Sequence, residues 1–131
     1  MRGEIDMPKW DFEDCDPLME AEHNRLYRMM NRLEPVIVEG DSASKVARAI
    51  HMLQERLADH FHVEEELFVT ADWASRQTMI RDHRDLMSMI ACLAEIPADD
   101  GEARRSLFTA FLQALVRHDN DVDAPLFSRK H

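Results

Sequence analysis

The sequence predicts an all-α fold, an up-down-up-down antiparallel four-helix bundle preceded by an N-terminal arm. Three observations predict it. Only 3 Gly and 5 Pro occur among 131 residues that are 45% hydrophobic and 32% charged, a balance that favours helices over a turn-rich sheet fold. Four segments of about 20 residues carry apolar side chains at three- and four-residue steps, the spacing of one helix face. The connections between them are short, which makes successive helices antiparallel neighbours. The length suits one domain with one core, spanning residues 1–131.

The arm is residues 1–16, MRGEIDMPKWDFEDCD, where no helical period is visible. Asp16-Pro17 starts the first helix, a capping side chain followed by proline in the first turn. That helix covers about 17–38 with the stripe His23, Leu26, Tyr27, Met30 and Leu33, and Pro35 is expected to kink or end it. EGDS (39–42) is a turn, and a second helix follows over about 43–68 with Val46, Ile50, Leu53, Leu57, His60, Glu64 and Leu67 inward. TADW (70–73) breaks it, with Asp72 as the next cap. The third helix, about 73–95, turns Met79, Ile80, His83, Leu86, Met87, Ile90 and Leu93 to the core. IPADDG (96–101) is a loop. The fourth helix, about 102–122, carries Phe108, Phe111, Leu115, His118 and Val122, and Pro125 marks its end.

Charge narrows the function. The formal net charge is -10, which repels a phosphate backbone and argues against nucleic acid as a partner. Cys15 and Cys92 stand far apart in no CxxC pattern and read as free thiols of a reducing compartment. The acidic N-terminus has no apolar signal region, and no apolar run reaches the roughly 20 residues that span a bilayer. The expectation is a cytoplasmic protein with no membrane partner.

Each predicted core stripe contains one histidine: His23, His60, His83 and His118. His51 and His62 fall off the stripe of the second helix and His131 lies in the tail, so these three read as surface residues. One polar residue on an apolar stripe is ordinary. Four, one per helix, are not, because each buried polar group without a partner costs about a few kcal/mol. In an up-down bundle the four converge toward one end. Glu64 joins them: it lies four residues after His60, about 40° round the helix axis, and faces the same way. Glu65 and Glu66 rotate off the stripe and are expected to be solvated. Imidazole nitrogens with carboxylate oxygens suit Fe, Mn or Zn, and bundle cores hold carboxylate-bridged metal pairs.

The four segments, in order, resemble the hemerythrin family. HFHVEE matches that family's HFxxEE pattern at His60, Phe61, Glu64 and Glu65. His23, in EAEHNRL, stands where the family's first-helix ligand does. His83, in RDHRDLM, matches the second histidine of its HxxxH motif, and HDNDVD (118–123) matches HxxxxD at His118 and Asp123. Trp10 and Asp16-Pro17 are similar to the family's N-terminal arm. The resemblance implies two non-haem iron ions with carboxylate and oxo or hydroxo bridges. Glu64 and Asp123 would bridge, His23 and His60 would bind one iron, and His83 and His118 the other. It implies reversible O2 binding, with other small diatomic or anionic ligands as alternatives. Asp123 fits the motif better than bare geometry, since five residues turn an ideal helix roughly 140°. Spacing alone would favour Asp121. Asp123 therefore requires a π-bulge or a frayed helix end.

Two positions depart from the family pattern. Met79 stands where HxxxH has its first histidine. A thioether is a poor ligand for iron, so Met79 is expected to fill the core, with water or another exogenous ligand completing the second iron. Asp119 follows His118 directly, where the family usually has an apolar residue. Either it points to solvent at the helix end or it admits water to the ligand pocket. Both changes work against a long-lived oxygenated form. The expected function is thus an O2- or redox-sensing domain with a labile adduct, read by a partner or an output domain such as a diguanylate cyclase or chemotaxis transducer. The alternative is a free-standing O2 carrier or store. A di-iron oxidase or peroxidase ranks lower, because such bundles use paired ExxH motifs and this chain has one, Glu20 to His23. The domain is not expected to be an enzyme in its own right.

Overall fold

The computed structural model describes residues 17–69, 71–123 and 125. The expected arm, with Trp10, Cys15 and the Asp16 cap, lies outside the described residues, as do Ala124 and His131. The described residues form four α-helices: α1 (Pro17–Glu39), α2 (Ala43–Leu67), α3 (Trp73–Glu95) and α4 (Gly101–His118). A π-helical turn, Asp119–Asp123, continues α4. Helix α1 packs on α2, α2 on α3, α3 on α4, and α4 back on α1, closing the four-helix bundle. No described helix is long and apolar enough to cross a membrane.

Local chemistry sets the helix ends. Ser42 caps α2 by accepting from the Lys45 N–H, Asp72 caps α3 by accepting from Ser75, and Asp100 caps α4 by accepting from Ala103. Pro35 does not end α1; the helix runs on to Glu39. Its missing N–H removes one helical bond, and packing of Ile37 and Val38 in the core offsets that loss. Gly40 sits where a Cβ would run into the Val36 carbonyl and the Val46 side chain, so glycine lets α1 turn sharply into α2.

The main core joins all four helices through Leu26, Tyr27, Met30, Leu53, Leu57, Phe61, Leu86, Ile90, Phe108, Phe111 and Leu115 among others. Leu67 departs from its expected stripe: at the last position of α2 it is 42% exposed. Ile80, Met87 and Val122 are half-buried. Met79 is fully buried in a second apolar cluster with Met19, against Val63, Phe68 and Val122. Arg104 is buried at the other end of the bundle from the histidines, in the first turn of α4.

Candidate metal centre

The four stripe histidines are all buried, as are Glu64, Asp119 and Asp123. They come from every helix and from the π turn. His23 lies in the first half of α1, His60 and Glu64 near the end of α2, His83 in mid α3, and His118 at the last residue of α4. An α-helix would carry Asp123 well round from His118. The π turn, with its wider hydrogen-bonded ring, brings it back, so that Asp123 Oδ1 lies 3.0 Å from His118 Nε2. Asp121, the choice that spacing alone favours, is exposed.

Each ring uses its two nitrogens differently. His23 Nδ1–H donates to the Met19 carbonyl at 2.8 Å. His83 Nδ1 meets Glu65 Oε2 at 2.7 Å, His118 Nδ1 meets Asp82 Oδ2 at 2.9 Å, and His60 Nδ1 meets Glu22 Oε2 at 3.5 Å. A carbonyl or an ionised carboxylate can only accept, so each Nδ1 carries the proton. In a neutral ring the lone pair then sits on Nε2. All four Nε2 atoms face the centre. His23 Nε2 lies 3.3 Å from Glu64 Oε2 and 3.4 Å from Asp123 Oδ2. Glu64 Oε1 lies 3.4 Å from His60 Nε2 and 3.1 Å from His83 Nε2.

These atoms are close but poorly aimed at one another. His60 Nε2, His83 Nε2, His118 Nε2, both Glu64 oxygens, Asp119 Oδ1 and Asp123 Oδ1 are buried with no hydrogen-bond partner among the described residues. Their lone pairs point into shared space instead. A native core rarely leaves even one buried polar atom unsatisfied, and here they fall in one cluster. A cation meets that demand, since each of these atoms is a donor of the kind Fe, Mn or Zn accepts. The ligand atoms group within 4.8 Å of one another in three overlapping sets: Glu64, His83, His118 and Asp123; His23, His60 and Glu64; and His23, Glu64, Asp119 and Asp123. The rings pair likewise, His23 edge-on to His60 at 4.7 Å and His83 edge-on to His118 at 4.8 Å. Phe61 stacks on His83 at 4.1 Å and fixes its plane.

Electrostatics within the side chains set the protons. Burial alone would deprotonate His23, but the adjacent Asp119, Asp123 and Glu64 carboxylates raise its pKa far above the usual value. His118 behaves alike: burial lowers it, Asp123 and Asp82 outweigh that, and it is pushed up to about 9. Burial, aided by the charge on His23, holds His60 down to about 3. Burial and the neighbouring Asp123 charge push Glu64 well above the carboxylate range. Burial would raise Asp123 too, but Glu64, His118 and His23 hold it well below. The same carboxylates that favour protons on His23 and His118 would favour a metal ion in their place.

Sequence reasoning missed three residues. Glu22, Glu65 and Asp82 are the Nδ1 partners just described; Glu65, expected in solvent, is 31% exposed and bonded to His83. Its membership in HFHVEE was the available signal. Asp119 is fully buried, so it does not point to solvent, and Tyr27 O–H donates to its Oδ2 at 2.7 Å. His51 and His62 are exposed and pair with Glu55 and Glu66 on the helix surface. Cys92 is an exposed free thiol.

Against known families, the model described as the hemerythrin HHE cation binding domain matches residues 16–129. No curated protein and no solved structure matches the chain.

Proposed function

The chain belongs to the hemerythrin HHE cation-binding family, and from that we propose that its buried centre holds two iron ions and works as an O2- or redox-sensing domain. Convergence carries the reading: buried ligand atoms from four helices, most of them without a hydrogen-bond partner among the described residues, form sets on either side of a shared Glu64. Glu64 belongs to every set and Asp123 to two, which supports bridging roles for both. His23 with His60, and His83 with His118, then serve one ion each.

Bound iron supplies the redox couple and the open coordination position for a small diatomic or anionic ligand. The rest falls to the chain. Met19, Glu22, Glu65 and Asp82 fix the ring tautomers and keep each Nε2 aimed inward. Phe61, packed against His60, His83 and His118, presents apolar surface that limits water. Met79 offers no imidazole, so the His83–His118 side has only two rings, and an exogenous ligand has room there. Ligand residues drawn from all four helices couple the charge of the centre to helix packing. That coupling favours a sensing role, with a partner or output domain as the reader.

Metal analysis with optical spectra of oxidised and reduced protein tests the proposal. Two irons per chain and a charge-transfer absorption that bleaches on reduction are expected. Reduced protein mixed with O2 in a stopped-flow cell should return to the oxidised spectrum within minutes. An oxygenated spectrum that lasts for hours favours the carrier or storage reading instead. Failure to take up iron or any other transition metal would sink both.

A further inference from the structure

Asp119 is the one acid in the cluster that no bridging or ring-orienting role absorbs. It is fully buried, and its two oxygens differ. Oδ2 accepts from Tyr27 O–H at 2.7 Å, and Tyr27 is itself 1% exposed, so the carboxylate is braced from behind by a core side chain. Oδ1 has no hydrogen-bond partner among the described residues and lies 3.5 Å from His23 Nε2. A carboxylate that merely completed the Tyr27 hydrogen bond would not need its second oxygen inside a cluster of metal-binding atoms. Burying that oxygen unpaired costs free energy that a cation would recover. Asp119 falls in the set with His23, Glu64 and Asp123, and not in the set with His83 and His118.

We propose that Asp119 is a seventh ligating side chain, giving Oδ1 to the metal ion on the His23–His60 side while Tyr27 holds the carboxylate in a single-oxygen pose. This inference rests on the metal-centre reading above. It has a consequence for where small molecules attach. The His23–His60 ion gains a third terminal ligand, and the His83–His118 ion keeps two. The open position therefore belongs to the His83–His118 side. Tyr27 acts as a positioning residue, since it touches the ligand and not the metal.

The test uses the full chain with Fe2+ and, separately, Co2+, whose visible absorption strengthens as coordination number falls. Wild type should take up two ions per chain. Asp119→Asn keeps the shape and can still accept from Tyr27. It should weaken one of the two ions at least tenfold in chelator competition, leave the other unchanged, and intensify the Co2+ bands. Tyr27→Phe should shift the same ion in the same direction by a smaller factor. If Asp119→Asn and Asp119→Leu both hold two ions at wild-type affinity with an unaltered Co2+ spectrum, Asp119 is only a hydrogen-bond partner and the proposal is overturned. A wild-type chain that binds no ion would instead overturn the metal-centre reading beneath it.

Discussion

At the end of the bundle where α1 turns into α2, Arg104 is as buried as any core side chain, yet every arm of its guanidinium has a partner. Nε donates to the Ile37 carbonyl, Nη1 to those of Pro97 and Ala98, and Nη2 to that of Gly40. One side chain ties the last turn of α1 to the loop between α3 and α4. At the other end, His23, His60, Glu64, His83, His118, Asp119 and Asp123 are equally buried, and most of their inward atoms have no hydrogen-bond partner among the described residues. The same chain, under the same cost of burying charge, completes one buried polar site with its own atoms and does not complete the other. The first is a structural clamp. The second has the composition of a ligand shell for a cation.

That contrast predicts opposite responses to substitution. The largest effect is expected at Glu64, the residue common to every ligand set. Glu64→Leu should abolish metal uptake, measured as metal per chain, while His62→Ala, at an exposed surface position, should bind normally. In the metal-free protein Glu64→Leu should unfold at the same temperature as wild type or higher, because it replaces an unpaired buried carboxyl with apolar volume. A metal-free variant that melted well below wild type would show that Glu64 serves the fold before it serves an ion.

Arg104→Ala should do the reverse. It strips four carbonyls of their shared donor, leaves a void, and is expected to cost about 3 kcal/mol or more in urea unfolding. Metal content per folded chain should stay at the wild-type level, since Arg104 reaches none of the ligand residues. Loss of metal in chains that remain folded would mean that the two ends are coupled and that the clamp is part of the metal centre.

How much of this was readable beforehand differs between the two ends as well. The fold was legible because four apolar stripes keep a helical period, and the polar residues on those stripes marked the centre. His60 and Glu64 stood out because a core has no other use for them. Arg104 could have been seen too: it extends the stripe of Phe108, Phe111 and Leu115 by one four-residue step. Leu67 misled because a stripe says nothing about where its helix leaves the core. Asp119 was harder. It stands about 100° round the helix from His118, and its burial comes from packing against α1, where Tyr27 O–H donates to it. Glu22, Glu65 and Asp82 were hardest, since each orients a histidine on a different helix, and such pairs depend on how the helices are rotated against one another.

Those three acids give the smallest effects and the finest test of the contrast. A carboxylate behind a ligating histidine fixes the ring and raises its basicity, and losing it typically weakens metal binding by about 10- to 100-fold. The strength should follow the hydrogen bond. Glu65→Gln, which weakens a 2.7 Å contact to His83, and Asp82→Asn, which weakens a 2.9 Å contact to His118, should fall within that range in chelator competition. Glu22→Gln, at 3.5 Å from His60, should cost less than either. All three side chains are partly exposed, so the fold should barely register the change. If Glu65→Gln left metal affinity untouched but lowered thermal stability, the acid would belong with Arg104 as a structural brace, and His83 would have to owe its orientation to Phe61 stacking alone.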